Sequence, residues 1–109
     1  MKLTIKQIAD KLGVKPKTVK KYFENSDHPP EIEYVGRSPY VDEDDFYRWI
    51  ETFTDKPISK NDRFLKSNEV MEIYGKSYTW LWYVVKRGEL AKPFTINRTN
   101  FWLEKEVTN

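Results

Sequence analysis

The sequence predicts a mainly α-helical chain with small β wings, built as two tandem copies of one small unit, the second cut short at its last helix. Three observations predict it. A pair of short amphipathic helices with a glycine between them stands at the start, over Leu3–Phe23 (LTIKQIADKLGVKPKTVKKYF). The same pattern returns with Gly75 in the place of Gly13, an offset of 62 residues. Between the copies, Thr54–Arg63 (TDKPISKNDR) is polar, contains a proline and has no apolar period. The predicted division is a first unit over 1–53, a linker over 54–63 and a second unit over 64–109.

In the first unit Thr4 is placed to cap a helix, and Gln7, three residues on, completes a capping box. Ile5, Ile8, Ala9 and Leu12 then make one apolar helical stripe. Gly13 suits the left-handed position that ends a helix, and Val14 is an apolar residue in the turn. Pro16 opens a second helix, where its missing N–H costs nothing, and the helix is expected to run to about Asn25. Val19 and Tyr22 or Phe23 face inward. Helical geometry then sets Lys17, Lys21 and Glu24 opposite the core, with Lys20 and Thr18 on the flanks.

His28-Pro29-Pro30 breaks that helix. Ile32–Val35 predicts a strand, Gly36–Pro39 a turn, and Tyr40-Val41 the returning strand. Asp42 is placed to cap a third helix, with Glu43, Asp44 and Asp45 in a first turn where the macrodipole favours acids. Phe46, Trp49, Ile50 and Phe53 follow at helical spacing. Helix, turn, helix, two-stranded wing and helix make a winged helix-turn-helix.

The offset of 62 aligns Leu3 with Leu65, Ile8 with Val70, Asp10 with Glu72 and Val19 with Leu81, then Tyr40 with Trp102, Val41 with Leu103 and Asp42 with Glu104. Ser67 is the expected cap of the copy's first helix, and Gly88 the end of its second. Phe94–Ile96 and Phe101–Leu103 are its expected wing strands, around Asn97–Asn100. Carried further, the offset sets Thr108 opposite Phe46, so the closing helix is expected to be missing and the core covered by other means. The segment Tyr78–Arg87 (YTWLWYVVKR) is apolar nearly all round, which favours burial on more than one side. Its residues matching Lys17, Lys20 and Lys21 are Thr79, Trp82 and Tyr83.

The net charge of +2 conceals a pattern. Residues 1–25 carry seven lysines against Asp10 and Glu24, a net of +5, which points to a localised anionic partner. Residues 26–55 carry nine acids against Arg37 and Arg48, and residues 56–109 ten bases against six acids. The absence of cysteine excludes disulfides and thiolate metal sites and fits a reducing, cytoplasmic location. No signal-peptide pattern is present, and the longest apolar run, Tyr78–Val85, is too short to span a bilayer, so no membrane partner is expected.

The stretches IADKLGVKPKTVKKYF and GRSPYVDEDDFYRWI make the first unit resemble the excisionase/MerR-type winged helix family. The stretch RFLKSNEVMEIYGKSYTWLWYVVKRGELAKPF makes the second resemble the AlpA-type regulators of phage origin. The resemblances cover roughly residues 3–53 and 63–106. They imply a protein that binds short DNA sites, as an excision directionality factor, a phage or plasmid transcription regulator, or a packaging component.

The residues point the same way. Lys17, Thr18 and Lys21 are placed to reach base edges or phosphates in a major groove, and Lys15 and Lys20 to reach phosphates. A solvated lysine face is the plain alternative. Arg37 in the first wing, and Arg98 in the second, are candidates for a flanking minor groove or a phosphate; exposed turn arginines are the alternative. Trp80, Trp82 and Tyr83 fit core packing, a protein interface with a second copy or a partner, or base stacking. The acids Asp42–Asp45 are explained by a helix N-terminus, and His28 by a loop, so no metal and no cofactor are expected. No phosphate loop, nucleophile elbow or carboxylate pair is visible, so no enzyme is expected.

Together these predict a sequence-specific double-stranded DNA-binding regulator of a phage, plasmid or integrative element, acting as a homo-oligomer or with a partner held by the second unit. The competing expectation is a protein-interaction adaptor or antirepressor that uses the aromatic second unit.

Overall fold

The computed structural model describes residues 1–107. Among them the chain is mixed α/β, with six helices and two three-stranded antiparallel sheets. It divides into two compact units, Met1–Asn61 and Asp62–Asn109. The first runs β1 (Lys2–Thr4), α1 (Ile5–Leu12), α2 (Pro16–Glu24), β2 (Ile32–Val35), β3 (Ser38–Asp42) and α3 (Glu43–Glu51). The second repeats that order as β4 (Phe64–Lys66), α4 (Ser67–Tyr74), α5 (Tyr78–Lys86), β5 (Phe94–Ile96), β6 (Thr99–Leu103) and α6 (Glu104–Val107).

The expectation of a mainly α chain is corrected by β1 and β4. Each is three residues long, too short for an alternating pattern to register. Each joins the far side of a hairpin, giving the sheet orders β1-β3-β2 and β4-β6-β5.

In the first unit the predicted local chemistry is in place. Thr4 Oγ1 accepts from the Gln7 N–H at 3.0 Å, and Gln7 Oε1 accepts from the Thr4 N–H at 2.8 Å. Gly13 ends α1 at φ +66°. Ile5, Ile8, Ala9 and Leu12 are buried with Val19, Tyr22 and Phe23 of α2. The third helix, α3, contributes buried Phe46, Trp49 and Ile50, and Asp42 caps it by accepting from the Asp45 N–H at 3.2 Å. Trp49 meets Phe23 edge-on with ring centroids 4.9 Å apart. Its Nε1–H donates to Ser26 Oγ at 3.0 Å, and that hydroxyl donates to the Tyr22 carbonyl at 2.7 Å. A buried indole is thus satisfied by the turn that follows α2. The first unit extends beyond residue 53 into the segment expected as a linker: Ile58 is buried and its N–H donates to Glu51 Oε2 at 2.8 Å.

In the second unit the pairing register corrects the uniform offset. Through α5 each helix begins 62 residues after its counterpart. In the hairpin the offset is 61: Leu3 pairs with Val41 but Leu65 with Trp102, and Val35 pairs with Ser38 but Ile96 with Thr99. One residue fewer separates α5 from its hairpin. Trp102 therefore stands where Val41 stands, Leu103 where Asp42 does, and Glu104 where Glu43 does. The same backbone bond marks both units, Glu43 N–H to the Met1 carbonyl and Glu104 N–H to the Arg63 carbonyl, each 2.9 Å.

That shift also corrects the expected loss of the closing helix. The short α6 forms, and buried Val107 takes the place of Phe46; Thr108, the counterpart by the uniform offset, lies outside the described residues. The cap of α4 falls on Lys66 rather than Ser67, with the Lys66 N–H donating to Glu69 Oε1 at 3.0 Å. Val107 belongs to one apolar cluster with Leu65, Val70, Leu81 and Trp102, against which Trp80 and Trp82 pack. Trp102 Nε1–H donates to the Ala91 carbonyl at 2.8 Å, and the Tyr74 hydroxyl donates to the Val107 carbonyl. Where the first unit has Val41 and a nine-residue helix, the second has Trp102 and a four-residue one. Ring volume from the sheet replaces volume from the helix, as close packing requires.

The two sheets also differ on the face away from these helices. In the first unit that face carries Lys2, Glu33, Tyr40 and Asp42, with Lys2 and Glu33 ion-paired. In the second it carries Phe64, Phe94, Phe101 and Leu103, all buried, with Phe64 edge-on to Phe94 at 6.1 Å. The unbroken run Phe101-Trp102-Leu103 is the sequence mark of a strand covered on both faces.

Candidate nucleic-acid interface

Helix α2 buries Val19, Tyr22 and Phe23 and turns Lys17, Lys20 and Lys21 to solvent. Lys15 is exposed at its N-cap, and Thr18 is half-buried on the flank. None of these four lysines makes an ion pair among the described residues. Their arrangement is costly to the helix itself. Lys17 and Lys21 are like charges four residues apart, which destabilises a helix. Lys15 and Lys17 sit at the positive end of the macrodipole, where acids are favoured. Lys15 also makes no side-chain cap bond.

The second unit shows what the same position does without those lysines. Its N-cap is Ser77, whose hydroxyl accepts from the Trp80 N–H at 3.2 Å. A capped start is therefore compatible with this helix position, and α2 of the first unit lacks it.

The two arginines singled out from sequence occupy equivalent places at the hairpin tips. Both are exposed. Of the five arginines in the chain, Arg48 pairs with Asp45, Arg63 with Glu104 and Arg87 with Glu89. Arg37 and Arg98 have no ion pair among the described residues. The first tip is Gly36-Arg37, with Gly36 at φ +64°, the form of a type II′ turn. The second is Asn97-Arg98, with φ +50° and +76°, the form of a type I′ turn. A left-handed arginine is uncommon, and its strain is offset by the pairing on either side.

Lys15, Lys17, Thr18, Lys20, Lys21 and Arg37 all belong to the first unit, and Arg98 to the second. The aromatic candidates divide. Trp80 and Trp82 are half-buried against the second core, with Trp82 5.9 Å from Trp102 between ring centroids. Trp82 Nε1 is buried without a partner among the described residues. Tyr83 is exposed, and Arg87 both bonds its hydroxyl at 2.6 Å and lies over its ring. Sequence reasoning missed Ile73, Tyr74 and Tyr78, which are exposed beside them on α4 and α5, and Tyr34 and Val35 on β2. The only signal for the first three was an apolar character continuing past the inward stripe.

Among the described residues no helix is long and apolar enough to cross a membrane. Comparison with family models, with curated proteins and with solved structures gave no match.

Proposed function

We propose that the chain is a sequence-specific double-stranded DNA-binding regulator of a phage, plasmid or integrative element, built as two winged helix-turn-helix units, with α2 of the first in the major groove. The observation that carries this is the start of α2. At the start of α2 Pro16 has no N–H and the Thr18 N–H donates to the Lys15 carbonyl at 2.9 Å, so the positive helix end offers a phosphate the Lys17 N–H, with the Lys15 and Lys17 side chains adding charge at the same spot. Without an anion there, the lysines and the missing cap only weaken the helix. With a DNA backbone there, each becomes a contact. Lys17 and Lys21 then face base edges, Thr18 a base or backbone oxygen, Lys20 a phosphate, and Arg37 the flanking groove. Excision control and transcription control both fit this arrangement.

Lys15→Ser tests the proposal because it separates fold from function. Serine restores the cap seen at Ser77, so the melting temperature rises, by an amount equivalent to about 1 kcal/mol. DNA affinity falls, and the log–log salt slope becomes shallower by about 0.9 for the lost phosphate contact. A more stable variant with unchanged DNA binding contradicts the proposal.

The exposed Tyr74, Tyr78 and Tyr83 favour a second role for α4 and α5 as a protein-binding face. In that role they hold a second copy, which raises the effective concentration of the small first unit on tandem sites. As an adaptor or antirepressor alone, the chain would use this face and leave the lysines idle.

A further inference from the structure

We propose that the tip of the β2–β3 ribbon is an apolar wedge that opens the minor groove and bends the duplex; this rests on the DNA-binding role proposed above. Tyr34 is 67 % exposed and Val35 66 %, more than any other large apolar side chain after Met1 among the described residues. As successive strand residues they stand on opposite faces of the ribbon. Tyr34 lies across from Pro39, and Val35 across from Ser38 beside the turn. Arg37 is the only charged residue between Tyr34 and Val41, and it is exposed. The tip is thus apolar on both faces, with one cation at its end.

The second unit serves as an internal control. Thr95 and Ile96 take the places of Tyr34 and Val35. Thr95 Oγ1–H donates to Asn100 Oδ1 at 2.8 Å, and Ile96 is buried. A ribbon of this construction therefore closes without an exposed apolar tip. The first ribbon is also stiff. Pro39 fixes its own φ, and its missing N–H costs no ladder bond because β1 pairs no further along β3 than Tyr40.

Geometry favours a wedge over simple insertion. The minor groove of B-form DNA is about 6 Å wide, and two paired strands are already about 4.8 Å apart before side chains are added. The ribbon enters only a groove widened by a kink, and apolar side chains pressed between base steps produce one. Arg37 then lies against the negative potential of that groove. A protein docked on the free edge of β2 would cover the same side chains. The positive tip and the lysine face of α2 in the same unit favour DNA.

The test uses the full chain and a duplex of about 30 base pairs recovered by the wild type from a random pool. The duplex carries fluorophores at its ends and 2-aminopurine at single steps. Binding of the wild type is expected to shorten the end-to-end distance and to brighten 2-aminopurine at one or two adjacent steps. Tyr34→Thr with Val35→Thr keeps strand propensity, and its circular dichroism should match the wild type. It is expected to bind about tenfold more weakly and to leave the duplex straight. Lys17→Ala with Lys21→Ala is expected to bind weakly at low salt but still to bend. A straight wild-type complex, or a bent complex with the Tyr34/Val35 variant, overturns the wedge and leaves DNA binding intact. A change in the Tyr34/Val35 variant's mass by light scattering, with the bend retained, assigns the tip to a protein contact and also overturns it. Recovery of no duplex overturns the wedge together with the DNA-binding role.

Discussion

Trp102→Ala should lower the stability of the second unit by about 3–5 kcal/mol, the range for deleting a buried aromatic ring. Trp102 is 1 % exposed and sits in the middle strand of its sheet. It touches Trp82, and its indole N–H satisfies the Ala91 carbonyl in the loop that leads to β5. Removal leaves a cavity, an unsatisfied carbonyl and a four-residue α6 with little left to pack on. The neighbours cannot collapse into the space, because Leu65, Leu81 and Val107 are each anchored by a different element. Hydrogen exchange gives the cleanest measure: amide protection over residues 64–107 should fall by a factor matching the lost stability. The equivalent change in the first unit, Val41→Ala, removes far less volume and should cost much less, since the volume there comes from α3.

Lys17→Ala with Lys21→Ala should act in the opposite sense, sparing the fold and weakening the proposed DNA binding. Both side chains are exposed and unpaired among the described residues, and alanine is the better helix former. Relief of the like-charge pair should add a few tenths of a kcal/mol of helix stability. Affinity for duplex DNA should fall by about 2 kcal/mol or more, about 30-fold, if each lysine holds one groove contact. Fluorescence anisotropy with a labelled duplex at fixed ionic strength measures the loss. Thermal melting of the same sample shows that the protein is still folded.

Much of the first unit was legible in sequence because its signals are local. Thr4 and Gln7 cap within four residues, Gly13 has one conformational use, and the inward stripe of α1 recurs at helical spacing. The exposed lysines of α2 followed from the same geometry, with Val19 as the reference. The features that escaped depend on distant partners or on single insertions. A three-residue strand such as β1 exists only because β3 lies beside it. The one-residue shortening between α5 and the second hairpin moves every later register position, and no local pattern reports it; the pairing of Leu65 with Trp102 does. Val35 and Ile96 are alike in sequence and occupy equivalent places, yet one is exposed and the other buried. Burial is decided by what covers a strand, and that lies outside the strand. The tryptophans of α5 illustrate the same limit: Trp80 and Trp82 turn partly inward because Trp102 and Val107, far along the chain, build the core they meet.

The central claim is that the lysine face of α2, with Arg37, holds the backbone and grooves of duplex DNA. Its most direct test is the affinity of the wild-type chain for a duplex at several salt concentrations. Lys15 and Lys20, placed on phosphates, together contribute about 1.8 to the log–log slope, which the Lys15→Ala, Lys20→Ala variant should lose. A flat salt dependence, or the same slope in wild type and variant, would contradict the claim.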